Sequence, residues 1–248
     1  MKIDYAVVSS DSNPFYLDFW PIVAKMWKVK FNITPVLIYI DEKDVPIDAT
    51  YGIVEKWKPV AGVPTYLQCL WSRYWYPSTK PDSVCIMSDI DMLPLSPWYY
   101  QGQIETIPDH KHVHINPCIE TYGSIPSCYH IAKGSTYKKT LELPDSWEKS
   151  VVDLNNSGLG SDPGFHLAGK TGWFADERYA TLMMQKNKED VVLIPRIGGQ
   201  NGRRIDRPNW YYNPELIKSD WYFDSHSIRP VSMYGAEIMK ICNLSLHL

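Results

Sequence analysis

The sequence predicts an α/β fold in which an open, mostly parallel central sheet is flanked by helices within a single domain. Apolar runs typical of buried strands lie at residues 3–9, 36–40 and 83–87. Between them, residues 14–28 and 64–76 repeat apolar side chains at helical spacing. This alternating order requires right-handed crossovers and therefore favours a parallel sheet. With 248 residues, the chain can bury a large core without disulfides or a structural metal.

The first half of the chain has the clearest elements. After the first strand comes a polar loop in which Asn13 is a candidate helix N-cap and Pro14 a first-turn residue. Residues 51–56 predict a short third strand. Open parallel sheets bind ligands at the carboxyl ends of their strands. Acidic residues lie at three such ends, namely Asp11, Asp41 and the pair Asp89 and Asp91.

The second half of the chain is less regular. Strands are predicted at 112–116, 127–132 and 191–194, and helices at 135–143 and 175–186. Residues 145–172 are expected to be rich in loops. The last fifty residues contain few regular signals and are expected to form a tail that wraps the core.

The composition argues against several classes of protein. The formal net charge is −3 and basic clusters are short, so no nucleic-acid partner is expected. No window approaches ~18 apolar residues, so no membrane span is expected. Five cysteines form an odd set without metal-ligand spacing, which favours a reducing, cytoplasmic location. The 10 Trp, 17 Tyr and 6 Phe indicate either an aromatic core or rings that stack on sugars.

Two carboxylates, Asp89 and Asp91, follow the strand at 83–87. Side chains two apart in an extended chain face the same side, and two carboxylates there are costly to bury without a partner. Mg²⁺ or Mn²⁺ would be a suitable partner. The sequence has neither a G-x-G-x-x-G loop after the first strand nor a P-loop, so a bound nucleotide would need such a metal to hold its phosphates. The competing interpretation is a solvated turn at the strand exit.

The stretch CIMSDIDMLPL at 85–95 resembles the D-x-D segment of GT-A glycosyltransferases. The helix at 65–74 resembles the one that presents a basic residue to the sugar phosphate in that family. The order of elements over 3–100 is also similar to that of the family. The chain further resembles the small transferases of large DNA viruses. The resemblance implies a GT-A, Rossmann-like domain over 1–248. Residues 1–100 would form the nucleotide-binding half, and 101–248 the acceptor-binding half with a C-terminal tail.

The resemblance also implies roles in donor binding. Asp91 would bind Mn²⁺ or Mg²⁺ directly, while Asp89 would contact the ribose or bind the metal through water. Arg73 would approach the diphosphate or the donor sugar; a surface arginine is the competing interpretation. The nucleotide base and ribose would be lined by Ser9, Ser10 and Asp11.

The segment GWFADERY at 172–179 resembles a G-W-…-E-D segment of these enzymes, in which a carboxylate at a helix start faces the acceptor. Asp176 or Glu177 would then be the general base, and Trp173 would stack on a sugar. The competing interpretation is an acidic first turn favoured by the helix dipole.

The segment DSHSIRP at 224–230 resembles the late segment in which several GT-A enzymes supply a third metal ligand. His226 would be that ligand, with Asp224 as a weaker alternative, and Arg229 would contact the diphosphate. The run at 198–207 is glycine-rich and basic. It predicts either a lid whose arginines clamp phosphate or a solvated loop.

The expected function is metal-dependent transfer of a sugar from a nucleotide diphosphate donor, by family tendency a UDP-sugar, to a hydroxyl of a carbohydrate or other acceptor. One alternative is a sugar-nucleotide nucleotidyltransferase, which should carry a glycine-rich loop after the first strand. Another is a non-catalytic carbohydrate-binding module. Transfer to DNA is disfavoured by the acidic net charge. The sequence leaves retention and inversion of configuration both open.

Overall fold

The strands of the protein form two sheets. The computed structural model describes residues 1–117, 123–159, 172–199 and 201–248. The strands are β1 (Tyr5–Ser10), β2 (Thr34–Ile40), β3 (Ile53–Trp57), β4 (Val84–Met87), β5 (Met92–Pro94), β6 (His112–Ile115), β7 (His130–Lys133), β8 (Val191–Ile194), β9 (Arg204–Asp206) and β10 (Asp224–His226).

The helices connect and cover these strands. They are α1 (Pro14–Leu17), α2 (Trp20–Lys25), α3 (Thr65–Trp75), α4 (Pro97–Tyr100), α5 (Gly134–Thr140), α6 (Trp147–Asn156), α7 (Ala175–Lys186), α8 (Pro214–Lys218) and α9 (Val231–Leu246). Helix α2 continues into a π-helical turn at Met26–Lys30. Within the described ranges, no helix is both long and apolar enough to cross a membrane.

The large sheet has the strand order β3-β2-β1-β4-β7-β6-β8. The pairs β2–β3, β1–β2, β1–β4 and β6–β8 are parallel, and β7 runs antiparallel to both of its neighbours. The predicted fold class, an α/β fold with a mostly parallel central sheet flanked by helices, is therefore confirmed. The division near residue 100 into nucleotide-binding and acceptor-binding halves stays a prediction.

The core lies on both faces of the large sheet because successive side chains of a strand point to opposite faces. In β1, Ala6 and Val8 pack into one buried cluster and Val7 into the other. All three are fully buried. This is why the central strands read as continuous apolar runs, as parallel strands covered on both faces do.

Two sequence predictions about the second half were wrong. Helix α6 lies inside the stretch at 145–172 that was predicted to be rich in loops, of which 160–171 lie outside the described residues. Ser146 caps this helix by accepting a hydrogen bond from the Lys149 backbone. The last fifty residues are not an irregular tail. They contain the long helix α9 and two strands of a small sheet with the order β5-β10-β9. Strands of three residues show no readable period in the sequence.

The loops after β1 and β4 meet at one edge of the large sheet. These strands are neighbours, and the chain order reverses between them, since β2 and β3 lie on one side and β4 on the other. Such a reversal leaves a crevice at the carboxyl ends of the strands. The loop after β1 closes into α1 as the sequence predicts, with the Asn13 side chain accepting a hydrogen bond from the Phe15 backbone at 3.1 Å.

Candidate functional site

A cavity of about 480 Å³ opens at this crevice. Its lining includes ten residues that the sequence analysis proposed for the site, although their roles stay predictions. They are Ser9, Ser10, Asp11, Arg73, Asp89, Asp91, Asp176, Glu177, His226 and Arg229.

The loop after β1 is held in place by its own polar groups. The Ser9 hydroxyl donates to the carbonyl of Cys69 in α3 at 2.5 Å. The Ser10 hydroxyl donates to the carbonyl of Asp11 at 2.8 Å. The Asp11 carboxylate accepts from the backbone N–H of Asn13 at 3.0 Å. These bonds fix the loop at the end of β1 while Asp11 and Asn13 line the cavity.

Arg73 is buried beneath the cavity, so its interpretation as a surface arginine was wrong. It is only 2% exposed. Its guanidinium forms an ion pair with Asp89 and donates to the Ser88 carbonyl at 3.1 Å and to the Ser127 hydroxyl at 3.2 Å. Burial alone would raise the pKa of Asp89, but the charge and hydrogen bond of Arg73 outweigh it and lower that pKa. Asp89 is therefore an anion held by Arg73.

Asp91 and His226 face each other across the small sheet. The carbonyl of Asp91 accepts from the Ser227 backbone at 3.0 Å, and His226 pairs with Met92 in the register of β5 and β10. The Asp91 Oδ2 and His226 Nε2 atoms lie 3.9 Å apart. On the other side of the ring, His226 Nδ1 lies 2.9 Å from Asp206 Oδ1.

Two arginines approach the same carboxylate. Arg207 donates to Asp91 Oδ2 at 2.7 Å and also contacts His226 Nε2. An Arg229 nitrogen lies 3.7 Å from Asp91 Oδ2. Because a carboxylate can only accept, the bond to Asp206 requires a proton on Nδ1 of His226. In the neutral ring the lone pair is then on Nε2.

This pair of side chains suits a divalent cation. Metal-ligating histidines commonly donate their second N–H to a carboxylate, as His226 does to Asp206. Asp91 Oδ2 and His226 Nε2 lie 3.9 Å apart, close enough for both side chains to hold one ion. Among the described residues, no three His, Cys, Asp or Glu side chains form a group suited to a metal. A cation held here by Asp91 and His226 would take its other ligands from a bound donor or water.

The acidic pair Asp176 and Glu177 lies in the first turn of α7. Glu177 accepts from the Ser127 backbone at 3.0 Å and from the Ser124 hydroxyl at 3.3 Å. Asp176 is 1% exposed, and its carboxylate accepts no hydrogen bond from a side chain within the described residues. The backbone N–H groups of Asp176 and Glu177 lower its pKa. The two acids therefore differ: Glu177 is anchored to the neighbouring loop, while Asp176 is held only by the start of its own helix.

The pKa values of both acids are raised. Burial raises the pKa of Asp176 to about 6, with the charge of Arg73 opposing the shift. Burial and the nearby charge of Asp176 raise the pKa of Glu177 to about 8. Each acid therefore holds a proton more readily than an ordinary carboxyl group does. Raised carboxyl pKa values in a cleft are a common feature of acid–base sites.

Aromatic rings form part of the cavity lining. Tyr66 and Trp173 are stacked with their ring centroids 5.7 Å apart. The Arg229 guanidinium lies over the Tyr16 ring, 4.9 Å from its centroid. Flat rings suit the apolar faces of sugars and of nucleotide bases, and both pairs are within this cavity.

Asp224 lies behind the site, in β10, and is not available as a metal ligand. It is fully buried and forms paired hydrogen bonds with Arg196, both at 2.8 Å, and with Arg204, at 2.9 and 3.0 Å. The Tyr129 hydroxyl donates to it at 2.8 Å. The two arginines outweigh the effect of burial and hold the pKa of Asp224 far below its usual range. This network fixes the strand that presents His226.

The three arginines of the basic run at 198–207 lie in different surroundings. Arg207 lines the cavity. Arg204 is bound to Asp224, and Arg203 lies over the rings of Trp221 and Phe223. Gln200 lies outside the described residues. Only the last arginine of this run is thus placed to meet a ligand in the cavity.

Comparison with solved structures shows two similar folds. The crystal structure of the glycosyltransferase GlyE of Streptococcus pneumoniae TIGR4 aligns over 100% of this chain and 63% of its own, with a TM-score of 0.52 and 8% identity. The galactosyltransferase LgtC, crystallised with donor and acceptor sugar analogues, aligns over 98% of this chain and 96% of its own, with a TM-score of 0.50 and 13% identity. The fold is that of the GT-A glycosyltransferases.

This chain therefore spans just under two thirds of the length of the GlyE structure. No protein-family profile matches the sequence, and no curated protein matches it. At such low identities the similarity establishes the fold. The donor, the metal and the resemblance to viral transferases stay predictions.

Several residues of the site were not proposed from the sequence. Asp206 lies in the run at 198–207, of which only the arginines were given a role, and it was found through its bond to His226. Tyr16 lies in α1, directly after the loop that follows β1. Because that loop is at the carboxyl end of a parallel strand, the sequence could have suggested Tyr16 as a site residue. Other lining residues that the sequence analysis left without a role in the site are Asn13, Tyr66 and Ser127.

Proposed function

We propose that the protein is a glycosyltransferase that moves a sugar from a nucleotide diphosphate donor, a UDP-sugar, to a hydroxyl of a carbohydrate acceptor, with Mn²⁺ or Mg²⁺. One observation carries the proposal. A single cavity at the reversal point of the sheet contains both Asp91 and His226, which suit a divalent cation, and the buried carboxylate of Asp176. The glycosyltransferase folds described above agree with it.

The donor end of the cavity would lie between β1 and the small sheet. Asp11 and Tyr16 offer a carboxylate and a ring to the nucleotide base and ribose. Arg229, stacked on Tyr16 and near Asp91, is placed to donate to the diphosphate. A cation held by Asp91 and His226 would supply neutralisation of the charge on the departing diphosphate.

The acceptor end would lie at α7, where Trp173 and Tyr66 can stack on a sugar. In transfer, the acceptor oxygen bonds to the anomeric carbon, and the bond from that carbon to the diphosphate oxygen breaks. With inversion, Asp176 takes the proton of the acceptor hydroxyl, since it lines the cavity and its raised pKa suits a group that accepts a proton near neutral pH. With retention, Asp176 positions a sugar hydroxyl and the departing phosphate takes the proton.

Thermal shift with UDP, dTDP, GDP and CMP, each with Mn²⁺ or with EDTA, tests the donor site. Binding at about 100 times the dissociation constant adds ~2.7 kcal/mol of stability, or about 5–10 °C in a chain of this size. The proposal expects such a rise with UDP and Mn²⁺ that disappears in EDTA. Asp91→Ala should abolish it, whereas Asp153→Ala, which removes an exposed carboxylate, should keep it.

Product analysis separates the remaining functions. The proposal expects release of UDP from a UDP-sugar in the presence of Mn²⁺. Release of pyrophosphate from UTP and a sugar 1-phosphate would instead identify a nucleotidyltransferase. A protein that binds sugars but shifts with no nucleotide would be a binding module, and the proposed function would be wrong.

A further inference from the structure

Arg207 occupies the space between the two side chains that suit a divalent cation. Its guanidinium donates to Asp91 Oδ2 at 2.7 Å and contacts His226 Nε2. Asp91 and His226 are the side chains that would hold a metal. In this structure the positive charge between them is the guanidinium of Arg207.

The hydrogen bonds of this arginine are incomplete. Its Nε atom is buried and has no hydrogen-bond partner among the described residues. A buried donor without an acceptor costs ~1–3 kcal/mol, so the guanidinium gains if an anion enters beside it. Phosphate oxygens accept from arginine in paired geometry, and the same cavity contains Arg229, a second guanidinium near Asp91.

The local charges favour an exchange. Two carboxylates, Asp91 and Asp206, are balanced by two guanidiniums, Arg207 and Arg229. A divalent cation entering this balanced group alone would meet the positive charge of Arg207 at hydrogen-bond distance from its own ligands. A diphosphate brings enough negative charge for the divalent cation and the Arg207 guanidinium to occupy the cavity together, provided that Arg207 moves from Asp91 to the phosphate oxygens.

We propose that Arg207 is a donor-binding residue that fills the cation position until a nucleoside diphosphate arrives, then moves to the diphosphate and leaves Asp91 and His226 to the metal. The inference rests on the proposed function. It makes binding of the metal and of the diphosphate mutually dependent, since coupling between two ligands is reciprocal. The free protein should bind Mn²⁺ weakly, and the protein with UDP should bind it well.

Electron paramagnetic resonance of free Mn²⁺ measures this coupling without any need for catalysis. The full chain is titrated with Mn²⁺, with and without UDP, as wild type, Arg207→Gln and Arg203→Gln. Arg203→Gln is the matched control. It removes the same charge from the same segment, but Arg203 lies over the rings of Trp221 and Phe223. Arg207→Lys is a further variant that keeps the charge.

Arg207→Gln should bind Mn²⁺ alone at least ~10-fold more tightly than wild type, and UDP should improve its Mn²⁺ binding much less, because the competing charge is gone. Arg203→Gln and Arg207→Lys should remain weak without UDP. Equal Mn²⁺ affinity of Arg207→Gln and Arg203→Gln without UDP would overturn the inference and leave the proposed function intact. If no variant, wild type included, binds Mn²⁺ even with UDP, the metal site of the proposed function is wrong, and the exchange with it.

Discussion

Asp206 and His226 lie opposite each other on the neighbouring parallel strands β9 and β10, and a 2.9 Å hydrogen bond joins Oδ1 to Nδ1. The carboxylate sets both the tautomer and the direction of the ring, so the Nε2 lone pair faces Asp91. A side chain to which the sequence analysis gave no role thus positions a proposed metal ligand. Partners of this kind are worth 10–100-fold in metal affinity in general.

Asp206→Ala should weaken Mn²⁺ binding in the presence of saturating UDP by ~10-fold or more, because His226 loses its orientation. Asp206→Asn retains an oxygen that can accept from Nδ1–H and should lose less. The measurement is the Mn²⁺ dissociation constant by electron paramagnetic resonance, with Asp153→Ala as a control on an exposed carboxylate. Equal affinities in all three variants and in wild type would show that Asp206 does not position the ring.

Asp224→Ala should destabilise the protein by ~3–5 kcal/mol, because two buried guanidiniums, Arg196 and Arg204, lose their only carboxylate partner within the described residues. In a chain of this size the midpoint of thermal unfolding should fall by about 10 °C or more. Calorimetry provides the measurement. The exposed pair of Lys149 and Asp153 provides the comparison, since its removal should cost no more than ~1 kcal/mol.

Asp176→Asn should retain UDP binding and reduce transfer on the order of 10²-fold or more, as expected when a general base is lost. Glu177→Gln should lose less, because a glutamine oxygen can still accept from the Ser127 backbone. Steady-state rates and UDP thermal shifts on both variants test this. Full activity of Asp176→Asn would remove the assignment of the base.

The stability of the protein should depend on pH through Glu177. Its pKa is raised to about 8 by burial and by the charge of Asp176, so between its ordinary value and 8 the folded state holds a proton that the unfolded state has lost. Raising the pH through this window therefore removes stability from the wild type. Glu177→Gln has no such proton. The melting midpoint of the variant minus that of wild type should therefore increase as the pH is raised from 4 to 9. A constant difference would contradict the raised pKa.

Trp173→Ala should raise the KM for the acceptor while leaving the UDP thermal shift unchanged, since the stacked pair of Trp173 and Tyr66 lies on the proposed acceptor side. Loss of one stacking ring is expected to cost ~1 kcal/mol, or about 5-fold in KM. Trp98→Ala is a matched control, because that exposed ring packs on Phe223 and is not part of the cavity lining. An equal effect of both substitutions on KM would argue against an acceptor platform.

The central sheet could be predicted because its strands are apolar on both faces and end in acidic residues. The helix at 175–186 and the strand at 191–194 have the bounds that the sequence predicts. Ser9, Ser10 and Asp11 lie near Asp89 and Asp91 in one cavity, because the carboxyl ends of the adjacent parallel strands β1 and β4 meet. Their roles stay predictions.

The remainder depends on contacts between distant segments. The small sheet is built from strands of three residues whose pairing is set by partners, not by a local pattern. Asp224 was considered as a metal ligand because the sequence does not show that Arg196 and Arg204 bind it. Arg73 looked equally suited to the surface, since its burial depends on the ion pair with Asp89.

The small sheet joins segments that are far apart along the chain: Asp91 and Arg207, which touch, are separated by 116 residues. Contacts of such sequence separation form late, because closing a long loop costs entropy before any contact rewards it. The large sheet can therefore assemble while the cation position is still incomplete. The position between Asp91 and His226 is complete only when nearly the whole chain, up to and including β10, has been made.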